Sequence, residues 1–148
     1  MFSGSTGEGL EQLAESEQAS VIVFGSDYRT PPGRAEPGTT AQRLLEGAPV
    51  AIAVAAAGLR SAGDAAIESI AVSSPDGDAV AQQTADALAG KLGAKVVPLE
   101  ASAIDLIVVG SQPNASSRRI TLSGSTRTML NAARGSVLVV PSGVPIGF

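Results

Sequence analysis

Two polar loops in this chain begin with Gly-Ser and end with a glycine followed by a hydroxyl residue, a pattern suited to holding phosphate. In the later loop, the apolar run IDLIVVGS ends at Gly110 and Ser111, and a helix is predicted to begin at Gly124, Ser125 and Thr126. Glycine has no Cβ, so backbone amides beside it can approach an anion closely. Amides at a helix start also point towards an anion, and the helix dipole favours negative charge there. The loop therefore predicts a phosphate site, or else a surface turn whose hydroxyls only cap a helix.

The earlier loop repeats this pattern. It begins at Gly25, after VIVFGS, and ends at Gly38 and Thr39 before a short predicted helix. The two copies lie about 85 residues apart, with a predicted one-residue shift inside the loop. Such self-similarity indicates an internal duplication. The matched segments are 21–26 with 106–111 and 38–55 with 124–141.

Composition excludes several classes of function. The chain has no cysteine and no histidine, which removes thiol catalysis, Ser-His-Asp catalysis and zinc sites built on these residues. Net charge is −4, the ten basic residues are scattered, and aromatic residues are 3% of the chain, so a nucleic-acid surface is not expected. The sequence has neither a signal-peptide pattern nor an apolar run long enough for a membrane span. We therefore expect a cytoplasmic protein with no membrane partner.

Apolar strands alternate with helices along the chain, which predicts an α/β fold. We expect an open, mostly parallel sheet with helices on both faces, a three-layer sandwich. Pro98 predicts either an edge position for its strand or a strand end. The expected strands are 20–26, 49–58, 65–74, 94–100, 104–111 and 136–142. The expected helices are 5–18, a short one from Thr39 or Thr40 through Leu45, one from Asp76 or Asp78 to Gly93, and 125–134.

The loop spacing resembles the Gly-x2-Gly-x9-Gly-[Ser/Thr] loop of the universal stress protein family, an adenine-nucleotide-hydrolase-like α/β fold. Strands and helices around both loops are also similar to that family, over nearly the whole chain. Residues 1–60 resemble the C-terminal half of a first repeat, and residues 61–148 resemble a second repeat without its middle. The family's motif has a second glycine where this chain has Tyr28 and Pro113.

Two arrangements of these repeats are open. The chain is either a fragment of a tandem protein or one composite domain, in which residues 5–19 supply the helix that the second repeat lacks. The composite is favoured, because an isolated half-domain exposes strand edges and apolar faces. Both glycine-led helix starts are then expected at the carboxyl edge of one parallel sheet.

The resemblance implies a regulatory module that binds ATP, with Mg²⁺, or AMP. The implied nucleotide-binding residues come from both loops and from the end of the 65–74 strand, where Ser73 stands in place of the family's aspartate. Arg118 and Arg119 either add positive charge to the later loop or are solvated surface arginines. The full set of implied nucleotide-binding residues is Gly25, Gly38, Thr39, Ser73, Gly110, Ser111, Gly124, Ser125 and Thr126.

Three functions are open at this point. The first is the nucleotide-binding regulatory module. The second is a family member without nucleotide that acts as a structural, dimerisation or interaction module, with the last strand, SVLVVP, as the edge that pairs with a second subunit as in relatives. The third is an enzyme that transfers or hydrolyses phosphate, which the absence of histidine, of a Walker lysine motif and of a carboxylate pair disfavours. Catalytic residues are not predicted.

Overall fold

The computed structural model describes residues 6–26, 30–58, 66–73, 79–101, 104–111, 119–132 and 135–141. Strands and helices alternate along most of this part of the chain, as the sequence predicts. The ten elements, in chain order, are α1 (Thr6–Ser16), β1 (Val21–Phe24), α2 (Thr39–Leu44), β2 (Ala51–Val54), β3 (Ser69–Ser73), α3 (Ala79–Leu92), β4 (Lys95–Val96), β5 (Leu106–Val109), α4 (Gly124–Ala132) and β6 (Ser136–Val139).

The six described strands form one sheet in the order β1-β2-β6-β5-β3-β4. Every neighbouring pair is parallel except β2 and β6, which are antiparallel. The expectation of an α/β fold with a mostly parallel sheet is therefore confirmed. The strands at the two ends are β1 and β4, so the edge position, one of the two alternatives predicted from Pro98, is confirmed, and Pro98 itself lies just after β4.

Helices pack on both faces of the sheet. On the first face, side chains of α1, α2 and α4 pack against a core that includes Ile52, Val54 and Val109. On the second face, Ala81, Ala85 and Ala89 of α3 pack against alternate residues of the same strands. Strand β5 is buried along its whole length because it is covered on both sides, which accounts for its uninterrupted apolar sequence.

The repeat is visible in the structure, with one uniform offset of 85 residues. Strands β1 and β5 differ by that offset, and so do β2 and β6, and the first residues of α2 and α4. The residue before α2 is Gly38, and its equivalent is Ser123, not Gly124. The predicted one-residue shift inside the loop is therefore wrong: it aligned two glycines that occupy different positions relative to their helices.

The two copies meet where β2 pairs with β6, and this pairing is symmetrical. Ala53 lies opposite Leu138, its own equivalent in the repeat, and Ile52 lies opposite Val139 as Val54 lies opposite Val137. A local twofold axis therefore passes between Ala53 and Leu138. Because β6 pairs with β5 on its other side, it is not an edge, and the prediction that the last strand pairs with a second subunit is wrong.

Two expectations about a single composite domain are wrong: the common carboxyl edge for both copies, and the role of residues 5–19 as a helix of the second copy. Strands β1 and β2 run opposite to β3, β5 and β6, so the carboxyl ends of the two copies lie at opposite edges of the sheet, not at a common one. Helix α1 contacts α2 and β1, within the first copy. It therefore does not supply a helix to the second copy as residues 5–19 were expected to do.

The helix ends agree in part with the sequence. Gly93 has a φ of +69° and follows the last residue of α3, the left-handed conformation that ends many helices. Asp76 and Asp78, the expected N-caps of α3, lie outside the described residues.

Candidate functional site

A cleft opens at the carboxyl edge of the second copy, between β3, the segment after β4 and the start of α4. Its volume is about 500 Å³, within the range of small-molecule sites. Three of its lining residues, Ser73, Ser125 and Thr126, are among those that the sequence implicates in nucleotide binding. The cleft is lined by Val72, Ser73, Leu99, Glu100, Ser125, Thr126 and Met129.

Ser123 caps the helix that forms one wall of the cleft. Its hydroxyl oxygen accepts a hydrogen bond from the Thr126 amide at 3.1 Å, and the Arg127 amide donates to its carbonyl at 3.0 Å. The first two amides of α4, those of Gly124 and Ser125, have no intrahelical acceptor. Among the described residues no other acceptor is seen for them, so both are available to an anion.

Three hydroxyl groups lie in a chain at the same helix start. The Ser123 oxygen is 2.9 Å from that of Thr126 and 3.0 Å from that of Ser125. Thr126 is buried and Ser125 is exposed. If Thr126 donates to Ser123 and Ser123 donates to Ser125, the Ser125 proton is left to donate outward. An anion that accepts a hydrogen bond from Ser125 therefore favours the arrangement in which Thr126 donates to Ser123 and Ser123 donates to Ser125.

The other walls of the cleft differ in chemistry. Val72, Leu99 and Met129 present apolar surface, and Leu99 is 37% exposed. Glu100 is the carboxylate among the lining residues and is exposed. The cleft therefore suits a molecule with an anionic end, an apolar body and hydroxyl or amino groups that donate to a carboxylate.

Gly110 and Ser111 lie near this edge, and the Gly110 amide and the Ser111 hydroxyl are engaged within the fold. The Gly110 amide donates to the Ser73 carbonyl at 2.9 Å, extending the β3–β5 ladder. The Ser111 hydroxyl is fully buried, donates to the Val140 carbonyl at 2.8 Å and accepts from the Thr121 amide at 3.1 Å. These bonds engage the Gly110 amide and the Ser111 hydroxyl inside the fold, and the phosphate-binding roles of the two residues stay predictions.

The residues of the earlier loop do not contribute to this cleft. Gly25, Gly38 and Thr39 belong to the first copy, whose carboxyl edge is at the opposite end of the sheet. Helix α2 has six residues, and Gly38 before it has no side chain to cap it. A helix this short provides little dipole for an anion. Because the two carboxyl edges are at opposite ends of the sheet, the three residues are separated from Ser73, Ser125 and Thr126.

Arg119 and the residue after it make hydrogen bonds between the two copies of the repeat. Its guanidinium Nη1 donates to the Gly47 carbonyl at 2.8 Å, and the next amide, that of Ile120, donates to the Ala48 carbonyl at 3.0 Å. Arg119 is exposed, as expected for a surface arginine, and this hydrogen bond attaches one of its nitrogens to the first copy. Arg118 and Pro113 lie outside the described residues.

Five residues of the site were missed by the sequence interpretation. Ser123 had a detectable signal, since a serine directly before a predicted helix is a common N-cap. The others depend on how β3, the segment after β4 and α4 come together, which no local pattern shows. The four are Val72, Leu99, Glu100 and Met129.

Comparisons with protein-family models, with curated proteins and with solved structures gave no match for this chain. Among the described residues, no three potential ligands from histidine, cysteine, aspartate and glutamate are grouped for a metal ion. In the same part of the chain, none of the helices has the length and apolar character needed to cross a membrane.

Proposed function

We propose that this chain is a regulatory module of the universal stress type that binds an adenine nucleotide, ATP or AMP, in the cleft between β3 and α4. The observation that carries the proposal is that Ser73 and the start of α4 line one cleft of about 500 Å³. The mostly parallel α/β sheet with helices on both faces supports it, because the resemblance of the loops implies such a fold.

In this proposal the phosphate lies at the start of α4. The free amides of Gly124 and Ser125 and the outward proton of Ser125 donate to phosphate oxygens, and the helix dipole favours the negative charge. The apolar side chains of Leu99 and Met129 contact the base. The Glu100 carboxylate accepts hydrogen bonds from nucleoside hydroxyl or amino groups.

A proline in place of Gly124 tests this arrangement with little damage to the helix. Proline is well accepted at the first helical position, and an N-cap residue has the extended conformation that a following proline requires. Gly124→Pro therefore removes one donor amide. Gly124→Ala is the matched control, because it keeps the amide and its Cβ has open space.

Calorimetric titrations with ATP, AMP and adenosine give the readout. A hydrogen bond to a charged group contributes about 1.5–3 kcal/mol, so Gly124→Pro should weaken ATP and AMP binding about tenfold or more. Adenosine binding should not change, and Gly124→Ala should match the wild type. Equal ATP affinity in the wild type and Gly124→Pro would contradict the phosphate position, and the absence of any nucleotide binding by the wild type would contradict the function.

The alternative, a module of the same type that binds no nucleotide and acts through protein contacts, is favoured by one observation. The Gly110 amide and the Ser111 hydroxyl are used inside the fold, so the loop has fewer donors than its sequence suggests. Absorbance of the purified protein separates the two functions. The chain has one tyrosine and no tryptophan, so bound adenine would dominate the spectrum near 260 nm. A spectrum with only the weak tyrosine band, together with no ATP binding in titration, would favour the alternative.

A further inference from the structure

Strand β1 forms one edge of the sheet, and part of its backbone has no partner in the described part of the chain. The Phe24 carbonyl accepts from the Ala55 amide, so the polar backbone groups of Phe24 and Ile22 face β2. Because these groups alternate in direction along a strand, those of Val21 and Val23 face outward. Among the described residues none pairs with them. The edge therefore offers two amides and two carbonyls at the spacing of a β-ladder.

The two edge strands of the sheet differ in how well they are protected against pairing with a further strand. Strand β4 has two residues, includes Lys95 and is followed by Pro98, and short length, lysine and proline are all features that prevent further strand pairing. Strand β1 has the sequence VIVF, without charge or proline. Val23, on the second face, is 65% exposed, the highest value among the large apolar side chains in the described part of the chain. An added strand would cover Val23 and pair with the backbone beside it.

The charge next to this edge selects the partner. Segment 6–26, which contains α1 and β1, carries Glu8, Glu11, Glu15 and Glu17 and has no lysine or arginine. Helix α1 packs against β1, so Glu8, Glu11 and Glu15 lie on the element next to the edge, and Glu17 lies in the turn that follows it. Pairing of β1 with β1 of a second copy would bring two such acidic helices together. A strand that carries lysine or arginine would instead be attracted.

We propose that the β1 edge binds an extended, basic segment of another protein by strand addition. The segment has apolar residues in its middle, where one covers Val23, and lysine or arginine at its ends, close to the glutamates of α1. Backbone hydrogen bonds to Val21 and Val23 supply most of the affinity, and the flanking charges supply selectivity.

A blocked peptide of sequence Lys-Thr-Val-Ile-Val-Thr-Lys is the probe, and the same peptide with glutamate in place of lysine is its control. Fluorescence anisotropy of labelled peptides should show binding of the lysine peptide, weakened by added salt. The glutamate peptide should bind about tenfold more weakly or worse, from a difference of about 1.4 kcal/mol. Equal binding of the two peptides would overturn the proposed selectivity.

Two variants test the position. Val23→Pro removes the central outward amide, and proline is tolerated on an edge strand when its missing donor faces solvent. It should reduce peptide binding about tenfold, whereas Val23→Thr, which keeps the amide and suits a strand, should retain it. Val23→Lys, which adds a protecting charge to the edge, should also abolish binding if the proline variant is poorly folded. Unchanged peptide binding by Val23→Lys would overturn the proposal, and so would a wild-type dimer in light scattering that Val23→Lys converts to a monomer.

Discussion

Ser26 and Ser111, which are equivalent in the repeat, make the same two hydrogen bonds in their separate halves of the sheet. Each hydroxyl donates to a carbonyl just after the neighbouring strand, that of Ala55 at 2.6 Å and that of Val140 at 2.8 Å. Each also accepts from a loop amide, at 3.0 Å and 3.1 Å. A serine after the strand thus fixes the start of the following loop in both copies.

We expect Ser111→Ala to destabilise the protein by about 1–3 kcal/mol, because it leaves the buried Val140 carbonyl without its donor. Ser26→Ala should cost less, since its site is only partly buried and water can replace the hydroxyl. Urea denaturation measures both. Ser125→Ala, on the exposed surface, is the control and should change stability by less than about 0.5 kcal/mol. Equal stability of Ser111→Ala and Ser125→Ala would contradict this role for Ser111.

Gly135→Ala should be strongly destabilising. Gly135 has a φ of +95°, and an added Cβ would lie 2.5 Å from the Ile104 carbonyl oxygen, which belongs to the backbone and has little room to move. Strain and overlap together predict a loss of about 2–5 kcal/mol in the free energy of unfolding.

Gly90→Ala is the control for Gly135→Ala, and thermal and urea denaturation measure the stability of both variants. Gly90 lies inside α3, and an added Cβ there meets nothing within 4 Å. Alanine should therefore stabilise the helix by about 0.5–1 kcal/mol. A stabilising Gly135→Ala or a destabilising Gly90→Ala would contradict the geometry at these two positions.

Ile120→Ala should cost about 2–5 kcal/mol, although the residue lies outside the helices and strands. Ile120 is fully buried in the first-face core, and its amide donates to Ala48 of the other copy. Ile120→Val, which removes one methylene, should cost about 0.5–1.5 kcal/mol. Chemical denaturation gives both values, and a cost for Ile120→Ala as small as that for Ile120→Val would mean that the side chain does not fill this core.

Glu100→Gln tests the electrostatics of the cleft. If the nucleotide proposal holds, losing the charged acceptor should weaken adenosine binding about two- to tenfold, because hydrogen bonds to a charged group are stronger than those to an amide. ATP binding should weaken less, since the variant also removes a negative charge near the phosphates. Adenosine binding that is unchanged or tighter in the variant would contradict the role proposed for Glu100.

The sheet and its layers were predictable from sequence because β-branched runs such as Leu106–Val109 are long enough to mark buried strands. The direction of β6 relative to β2 was not, since a strand buried on both faces has the same apolar pattern beside a parallel or an antiparallel neighbour. The direction of β6 relative to β2 decides at which edge of the sheet each polar loop lies, so Gly38 and Gly124 were wrongly expected at one edge. The alignment error at Ser123 had a similar cause, because identical residue types were matched instead of equivalent helix positions.

The cleft was predictable only where a local motif contributed to it. Ser125 and Thr126 follow from the pattern of a helix start, and Ser73 from the resemblance at the end of a strand. The engagement of Ser111 depends on Thr121 and Val140, which reach it from a loop and from another strand. Contacts of this kind arise from the assembled fold.

The central β2–β6 pair also constrains the order of folding. It joins residues more than eighty positions apart, as in the pairing of Val54 with Val137, whereas β5, α4 and β6 are close in sequence. Contacts between distant residues form slowly, because a long loop must close first. During synthesis, β2 leaves the ribosome well before β6 exists, so its inner edge stays unpaired until the last strand arrives. The protein is therefore most prone to aggregation during synthesis, after the first copy has formed and before β6 pairs with β2.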